Sequence, residues 1–143
     1  VNPSDYDMTL QSRVRKINTI CEKSNRNILG ISIHSNGSSN EKANGWEAFT
    51  YYGNSDSDYF AELLYKEIKK EFHNSKIRTD YSDNDIDKEA QFYILKYTKC
   101  PFVLSENFFH TNEKECKEIL MTSSGRAKIA LAHFKAIKKY FKI

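Results

Sequence analysis

The segment NILGISIH, residues 27–34, decides how the surrounding sequence is interpreted. Three isoleucines and a leucine stand on either side of Gly30, so the run is almost continuously apolar and mostly β-branched. Such a run is typical of a strand buried on both faces, as in parallel or mixed sheets covered by helices. The run stops at His34, and the small polar residues of 35–45 predict a loop directly after it.

Helices and further strands are predicted on both sides of this strand. Apolar residues at three- and four-residue steps predict a helix that begins after Thr9 and stops at 24–27, an amphipathic helix over 58–72, a short helix from Thr111 or Asn112 to Leu120, and a last helix from Ser123 or Ser124. Aromatic and β-branched runs predict strands at 46–52, 92–97 and 102–105, with a short one at 77–79. Strands that alternate with helices predict an α/β fold, here a twisted, mostly parallel sheet flanked by helices on both faces.

Length and composition narrow the class of protein. The chain has 143 residues, the size of one domain, and we expect residues 1–143 to form a single domain. A hydrophobic content of 39% excludes wholesale disorder, and no apolar run approaches the roughly 20 residues of a membrane-spanning helix. Lys and Arg total 22 against 19 Asp and Glu, a mixed and mildly basic balance that suits an anionic polymer and predicts no nucleic-acid partner.

Two predicted strands end in residues that can perform chemistry, and ligands of α/β sheets bind at the carboxyl ends of strands. His34 follows the first strand, where an imidazole can bind a metal or simply hydrogen-bond to the backbone. Glu106 follows the apolar residues 102–104. Apolar surroundings raise the pKa of a carboxyl group toward the range of a general acid or base, whereas a lysine partner would make Glu106 structural.

Two further groups of acidic residues have weaker patterns. Glu47 alternates with aromatic residues on a predicted strand, so it can line the same cleft, although we expect it to face outward. Asp80, Asp83, Asp85 and Asp87 lie close together but lack the glycine and final glutamate of an EF-hand loop. We therefore expect a solvated acidic loop there.

The sequence contains no Walker motif and no GxGxxG, GxSxG or HExxH pattern. Phosphate-loop enzymes, dinucleotide-binding dehydrogenases and α/β serine hydrolases therefore receive no support.

Four blocks occur in an order and spacing that resemble a known family. They are LQSR at 10–13 with Asn18, ISIHSN at 31–36, GWEAF at 45–49, and CPFVLSENFF at 100–109 with Asn112. Together they resemble the zinc-dependent N-acetylmuramoyl-L-alanine amidases of the Amidase_3 family, which are cell-wall hydrolases of bacteria and their phages. The resemblance covers nearly the whole chain.

The resemblance implies a zinc enzyme that cleaves the amide bond between N-acetylmuramic acid and L-alanine in peptidoglycan. One zinc ion would be held by two histidines and a glutamate, with His34 as the later of those histidines and Glu106 as the catalytic glutamate. We expect Asn36, Glu47 and Asn107, which lie in the same blocks, to contact the substrate. The resemblance implies a bacterial protein of the periplasm, the cell envelope or the extracellular space, or else a phage-derived protein.

The zinc ligands that precede the second strand in this family have no counterpart here. The first zinc histidine of the family lies in a Gly-His-Gly segment that does not occur in this sequence, and its glutamate ligand lies on the next helix. A catalytic zinc needs about three protein ligands, so His34 alone is insufficient. We expect a fold incomplete at its N-terminus, corresponding to the C-terminal two-thirds of the family domain, with the remainder in a longer protein or in another chain.

Three alternatives remain open from the sequence. The chain could be a truncated, non-catalytic module that binds peptidoglycan, or an interaction fragment whose uncovered sheet edge associates with a partner. It could also belong to another class of zinc hydrolase with a similar fold, such as a carboxypeptidase.

Overall fold

The computed structural model describes residues 6–53, 55–82 and 84–143, so Asp83 lies outside the described residues. The helices are α1 (Leu10–Lys23), α2 (Asp56–Glu71), α3 (Tyr93–Tyr97), α4 (Glu113–Glu115), which continues as a π-helical turn (Cys116–Leu120), and α5 (Ser123–Phe141). The strands are β1 (Gly30–Asn36), β2 (Glu47–Thr50), β3 (Lys88–Glu89) and β4 (Phe102–Phe109).

The four strands form one mixed sheet in the order β1-β4-β2-β3. Strand β1 pairs with β4 in parallel, β2 pairs with β3 in parallel, and β2 pairs with β4 antiparallel. Two of the three pairings are thus parallel, which confirms the predicted α/β fold with a mostly parallel sheet. Because β1 and β4 run in the same direction, the two strands that carry His34 and Glu106 end at the same edge of the sheet.

Helices cover both faces of this sheet. On one face, Trp46 and Val103 belong to a core that includes the buried sides of α2 and α5. On the other face, Phe102 and Leu104 pack with Ile17 of α1 and with Leu95 of α3. Successive residues of β4 alternate between the two cores, as the two-residue period of a strand requires.

The segment 92–97 differs from its predicted strand and forms α3 instead. Leu95 alone is buried, while Phe92 and Tyr97 stay largely exposed, so the segment buries a narrow stripe as a short surface helix does. The rings of Tyr93 and Tyr97 lie 4.5 Å apart, which is the four-residue contact of a helix. The strand prediction rested on aromatic β-propensity, which tertiary packing overrides here.

Helix ends follow local side-chain chemistry. Thr9 caps α1 as predicted, because its side chain accepts a hydrogen bond from the Ser12 amide. The last helix begins at Ser123, as predicted, and Thr122 caps it. The predicted short strand at 77–79 is reduced to a single bridge between Ile77 and Trp46. Across the described ranges, none of the helices combines the length and apolarity needed to cross a bilayer.

Candidate active site

Three polar residues form a row across three neighbouring strands of the sheet. His34 on β1 lies directly opposite Glu106 on β4, and Glu106 lies directly opposite Glu47 on β2. Residues in register on neighbouring strands point to the same face of a sheet. We call His34, Glu106 and Glu47 the polar row. It continues the face covered by α1 and α3, one step beyond the buried Leu104 and the half-buried Phe49.

Glu106 is the central member of the polar row and has an unsatisfied oxygen. Its Oε2 atom is buried and makes no hydrogen bond to the described residues. Burial raises the pKa of Glu106 to about 7, and the nearby charge of Glu47 adds to the increase. No ion pair joins Glu106 to a lysine or arginine of the described ranges, so the structural role that a lysine partner would indicate finds no support. A carboxyl group with a pKa near 7 can both accept and donate a proton at neutral pH.

Glu47 is buried, with only 3% of its surface exposed, so the expectation that it faces outward is wrong. Its Oε2 accepts hydrogen bonds from Arg78 Nε at 2.8 Å and from Lys88 Nζ at 2.6 Å. Its Oε1 accepts one from Asn36 Nδ2 at 2.6 Å. The two cations offset the desolvation of this carboxylate, which is otherwise expensive to bury. Glu47 is thus a fixed negative charge beside Glu106, and its contact with the substrate stays a prediction.

The two asparagines predicted as substrate contacts have structural partners. Asn36 uses its amide nitrogen for Glu47 and its amide oxygen for the Gly37 backbone. Asn107 is 3% exposed and faces the α2 side of the sheet. Its Oδ1 accepts from Trp46 Nε1 at 2.7 Å, and its Nδ2 donates to the His34 carbonyl at 2.9 Å. Asn107 thereby anchors β1 at His34, and its contact with the substrate stays a prediction.

A bulge in β4 separates Glu106 from the residues that follow it. Asn36 pairs with Phe109 although His34 pairs with Glu106, so β4 contains one more residue than β1 over this stretch. Phe108 takes up the extra length in a left-handed conformation with φ 63°, which is strained for a bulky residue. Its ring is fully buried, with the Phe72 ring 4.8 Å away, and this packing offsets the strain.

His34 is exposed at the open end of the polar row. Its Nε2 lies 2.8 Å from the Ser32 hydroxyl, and the ring is accessible to an incoming ligand. Accessible imidazole beside an orphaned carboxylate fits part of a zinc site. The described residues bring no set of three histidine, cysteine or acidic ligands together around His34. His34 can therefore supply one ligand to a metal ion, and the described residues around it do not complete a set of three.

Arg78 and Lys88 were missed in the sequence. Both lie in the polar stretch between α2 and α3, and neither belongs to a recognisable motif. Arg78 reaches Glu47 because its backbone amide bonds to the Trp46 carbonyl, which places residue 78 beside β2. Lys88 reaches the same carboxylate from β3. Only the pairing of these segments with β2 reveals their role.

The acidic segment also differs from its prediction. Asp87 is 1% exposed and Asp85 is half-buried, so the expected solvated loop is wrong for both. The segment turns inward because Asp87 immediately precedes β3, which pairs with β2. Thr50 on β2 then donates a hydrogen bond to Asp87.

Comparisons with known proteins assign this chain to a family. Residues 1–139 match the Amidase_3 family, described as N-acetylmuramoyl-L-alanine amidase. The N-acetylmuramoyl-L-alanine amidase LytC of Bacillus subtilis (strain 168) is 31% identical over 117 residues, which are 81% of this chain and 21% of that protein. The chain therefore spans about a fifth of the length of this curated relative.

Solved structures show the same fold. The N-acetylmuramoyl-L-alanine amidase AmiC2 of Nostoc punctiforme superposes with a TM-score of 0.78 at 25% identity, over 100% of this chain and 71% of that one. An N-acetylmuramoyl-L-alanine amidase from Clostridium difficile 630 superposes with a TM-score of 0.80 at 19% identity, over 99% and 69% of the two chains. With the family match over nearly its whole length, this chain belongs to the Amidase_3 family of N-acetylmuramoyl-L-alanine amidases.

Proposed function

We propose that this chain carries the proton-transferring part of a peptidoglycan amidase site, one that hydrolyses the amide bond between N-acetylmuramic acid and L-alanine. The observation that carries the proposal is the orphaned Oε2 of Glu106 beside the exposed imidazole of His34. Both residues lie in the carboxyl-terminal halves of the parallel strands β1 and β4, toward the edge where α/β folds bind their ligands. Family membership supports the choice of substrate.

Glu106 acts as the general base and then as the general acid. Its Oε2 accepts a proton from the attacking water and later donates that proton to the departing alanine nitrogen. A pKa of about 7 suits both steps, because the group gives up and takes back a proton at little cost. Glu47 supports this role by holding its negative charge beside Glu106, where it disfavours a second ionised carboxylate.

His34 is proposed as one ligand of a zinc ion. Zinc bound there would supply a Lewis acid that polarises the scissile carbonyl. We propose that the remaining ligands come from a segment that pairs with the open edge of β1, either in a longer form of this protein or in another chain. In the described ranges β1 pairs only with β4, and Ile33 on β1 is largely exposed. The chain covers about 70% of its structural neighbours, which leaves room for such a segment.

The proposed place of action is the cell envelope or the extracellular space, because peptidoglycan lies outside the cytoplasmic membrane. Peptidoglycan is then the principal partner of the protein. The same activity would suit an autolysin or a phage-derived endolysin.

The test replaces Glu106 by Gln in the longest natural form of the protein. We expect hydrolysis of purified peptidoglycan, followed by the release of new amino termini, to fall at least about 100-fold, because a general acid–base catalyst contributes that much. Zinc content should stay unchanged. Glu113→Gln is the matched control, since the Glu113 side chain is 81% exposed and carries the same charge.

Near-normal hydrolysis by the Glu106→Gln protein would contradict the role proposed for Glu106. Retention of insoluble cell wall by the wild-type protein, with no new amino termini, would replace hydrolysis by binding as the function. Mapping the new terminus on soluble fragments distinguishes an amidase from a carboxypeptidase, because only an amidase exposes the amino group of L-alanine.

A further inference from the structure

Three aspartates converge on the face of the sheet opposite the polar row. Asp58 lies in the first turn of α2, and Asp85 and Asp87 lie in the segment that leads into β3. One carboxylate oxygen from each lies within 4.8 Å of the other two. We call these residues the aspartate cluster. Thr50, at the end of β2, completes it with a hydroxyl group.

Asp87 has a buried oxygen that the described residues leave unsatisfied. The residue is 1% exposed, and its Oδ2 accepts a hydrogen bond from Thr50 Oγ1 at 2.7 Å. Its Oδ1 is buried and has no hydrogen-bond partner in the described part of the chain. A buried carboxylate without a full set of partners is strongly destabilising, so this oxygen indicates a ligand that takes the empty position.

Two members of the aspartate cluster, Asp58 and Asp87, have no cationic partner in the described part of the chain. Within residues 6–53, 55–82 and 84–143, no lysine or arginine forms an ion pair with Asp58 or Asp87. The negative charge of Asp58 is partly compensated, because its carboxylate accepts a hydrogen bond from the Ser55 amide at the start of α2. Asp87 accepts a hydrogen bond from Thr50, and its own backbone amide also lowers its pKa. Burial raises the pKa of Asp87 to about 7, and the charges of Asp85 and Asp58 add to the increase.

The Thr50 hydroxyl group cannot compensate both aspartates. Its oxygen lies 2.9 Å from Asp58 Oδ1 and 2.7 Å from Asp87 Oδ2. A hydroxyl group has a single proton to donate, so it can satisfy one of these two oxygens at a time. The other contact brings two oxygen lone pairs together unless a cation or an additional proton lies between the groups.

The donor chemistry selects the cation. Every donor in the aspartate cluster is oxygen, and three of the four are carboxylates. Zinc prefers nitrogen and sulfur, whereas oxygen-only sites suit calcium and magnesium. Magnesium demands near-ideal octahedral geometry and keeps several waters, so it seldom occupies buried sites built from protein ligands. Calcium tolerates irregular geometry and takes six to eight oxygens, which fits two buried carboxylates and one half-buried one.

We propose that Asp58, Asp85 and Asp87 bind one calcium ion, which joins the start of α2 to the segment preceding β3. This site is separate from the polar row, because Thr50 and Glu47 point to opposite faces of β2. The ion would fix Asp87 and therefore the position of Lys88, which follows it and pairs with Glu47. The proposal does not depend on the activity of the polar row.

The test measures the thermal unfolding of the chelator-treated protein in CaCl₂, in MgCl₂ and in NaCl of equal ionic strength. In saturating calcium we expect Tm to rise by roughly 5–10 °C, because an ion that binds only the folded state stabilises it by mass action. Magnesium should give a much smaller rise, and NaCl should give none. Calorimetric titration should show one calcium ion per chain.

Asp87→Asn is the informative variant, because it removes the buried charge and keeps the shape of the side chain. We expect its Tm without calcium to equal or exceed that of the wild type, and its response to calcium to disappear. Asp56→Asn is the matched control: Asp56 is exposed in the same first turn of α2, and its loss should leave the calcium response intact.

Three results would overturn the proposal: no calcium response in the wild type, an equal response to magnesium, or an unchanged response in Asp87→Asn. Absence of any calcium response would mean that a proton neutralises the cluster. If the Asp87→Asn protein fails to fold, the wild-type titration decides alone, and a stoichiometry of zero excludes the site. None of these outcomes bears on Glu106, which lies on the other face of the sheet.

Discussion

Glu106 has a buried carboxylate on one side and an exposed imidazole on the other. This position explains why the pKa of Glu106 is raised, because two features of its surroundings act on the same carboxyl group. Burial disfavours its charged form, and the neighbouring Glu47, which cannot move away from its two cations, disfavours that form further. The same two causes that suit Glu106 to proton transfer make its ionisation destabilising for the fold.

The pH dependence of stability follows from this pKa. The folded pKa of about 7 lies above the ordinary value of 4.5, so the folded protein binds more protons between these two values. Glu106 therefore contributes fully to the free energy of unfolding below pH 4.5, and this contribution is lost as the pH rises through about 7. We expect Glu106→Gln to be more stable than the wild type by roughly 1–3 kcal/mol at pH 8 and by little at pH 4.

The measurement is urea unfolding of both proteins at a series of pH values. Asp87 titrates in the same range, so only the difference between wild type and variant isolates Glu106. A difference that does not change between pH 4 and pH 8 would show that Glu106 has an ordinary pKa. The exposed Glu113→Gln provides the baseline for losing a surface carboxylate.

At the scale of the secondary-structure elements, the pairing of β1 with β4 decides where the site lies. Gly30 stands opposite Phe102, and a Cβ atom at Gly30 would lie 2.0 Å from a carbon of the Phe102 ring. The glycine is thus required by the close approach of a buried ring, since Phe102 fills the core beneath α1. This contact sets the start of a register whose other end places His34 beside Glu106.

Gly30→Ala should therefore destabilise the protein by about 1–3 kcal/mol, because the added methyl group overpacks the site. Combining it with Phe102→Leu should recover part of this loss, since the smaller side chain makes room for the methyl group. The check is a double-mutant cycle from denaturant unfolding of the four proteins. Strictly additive effects would show that the two residues do not compete for the same space.

At the scale of the whole molecule, the polar row depends on segments that are distant in sequence. Arg78 and Lys88 lie 31 and 41 residues from Glu47, yet both donate to its carboxylate. Asn36 reaches the same group from the end of β1. The buried charge of Glu47 is therefore held by three separate parts of the fold, and the protonation of Glu106 depends on all of them.

Lys88→Met tests this dependence. We expect a loss of about 1–3 kcal/mol of stability, less than for a fully broken buried pair because Arg78 remains. Removing the cation also strengthens the negative field at Glu106, so the acidic limb of the pH–activity profile of the longest natural form should move to higher pH. Lys66→Met, which removes an exposed lysine from a surface pair, should change stability by less than about 0.5 kcal/mol. An unchanged pH–activity profile in Lys88→Met would show that the charge of Glu47 does not influence the protonation of Glu106.

The sequence predicted His34 and Glu106 directly after their strands, but β1 continues to Asn36 and β4 to Phe109, so both residues lie within strands. What the sequence by itself determined is the α/β class, the caps at Thr9 and Asn112, and the family. Each of these rests on local information: periodicity within one element, a cap within one turn, or a motif within one block. The helix at 93–97 was the exception, because aromatic residues favour a strand wherever packing does not override them.

Only the tertiary structure decided the burial of Glu47 and the inward turn of Asp87. Both depend on which residues of different strands stand opposite one another. Antiparallel pairing of β2 with β4 and the addition of β3 at the edge bring Arg78, Lys88 and Asp87 to their partners. The physical reason is that strand register is set by the packing of the whole sheet, so contacts across 30 or more residues leave no local pattern in the sequence.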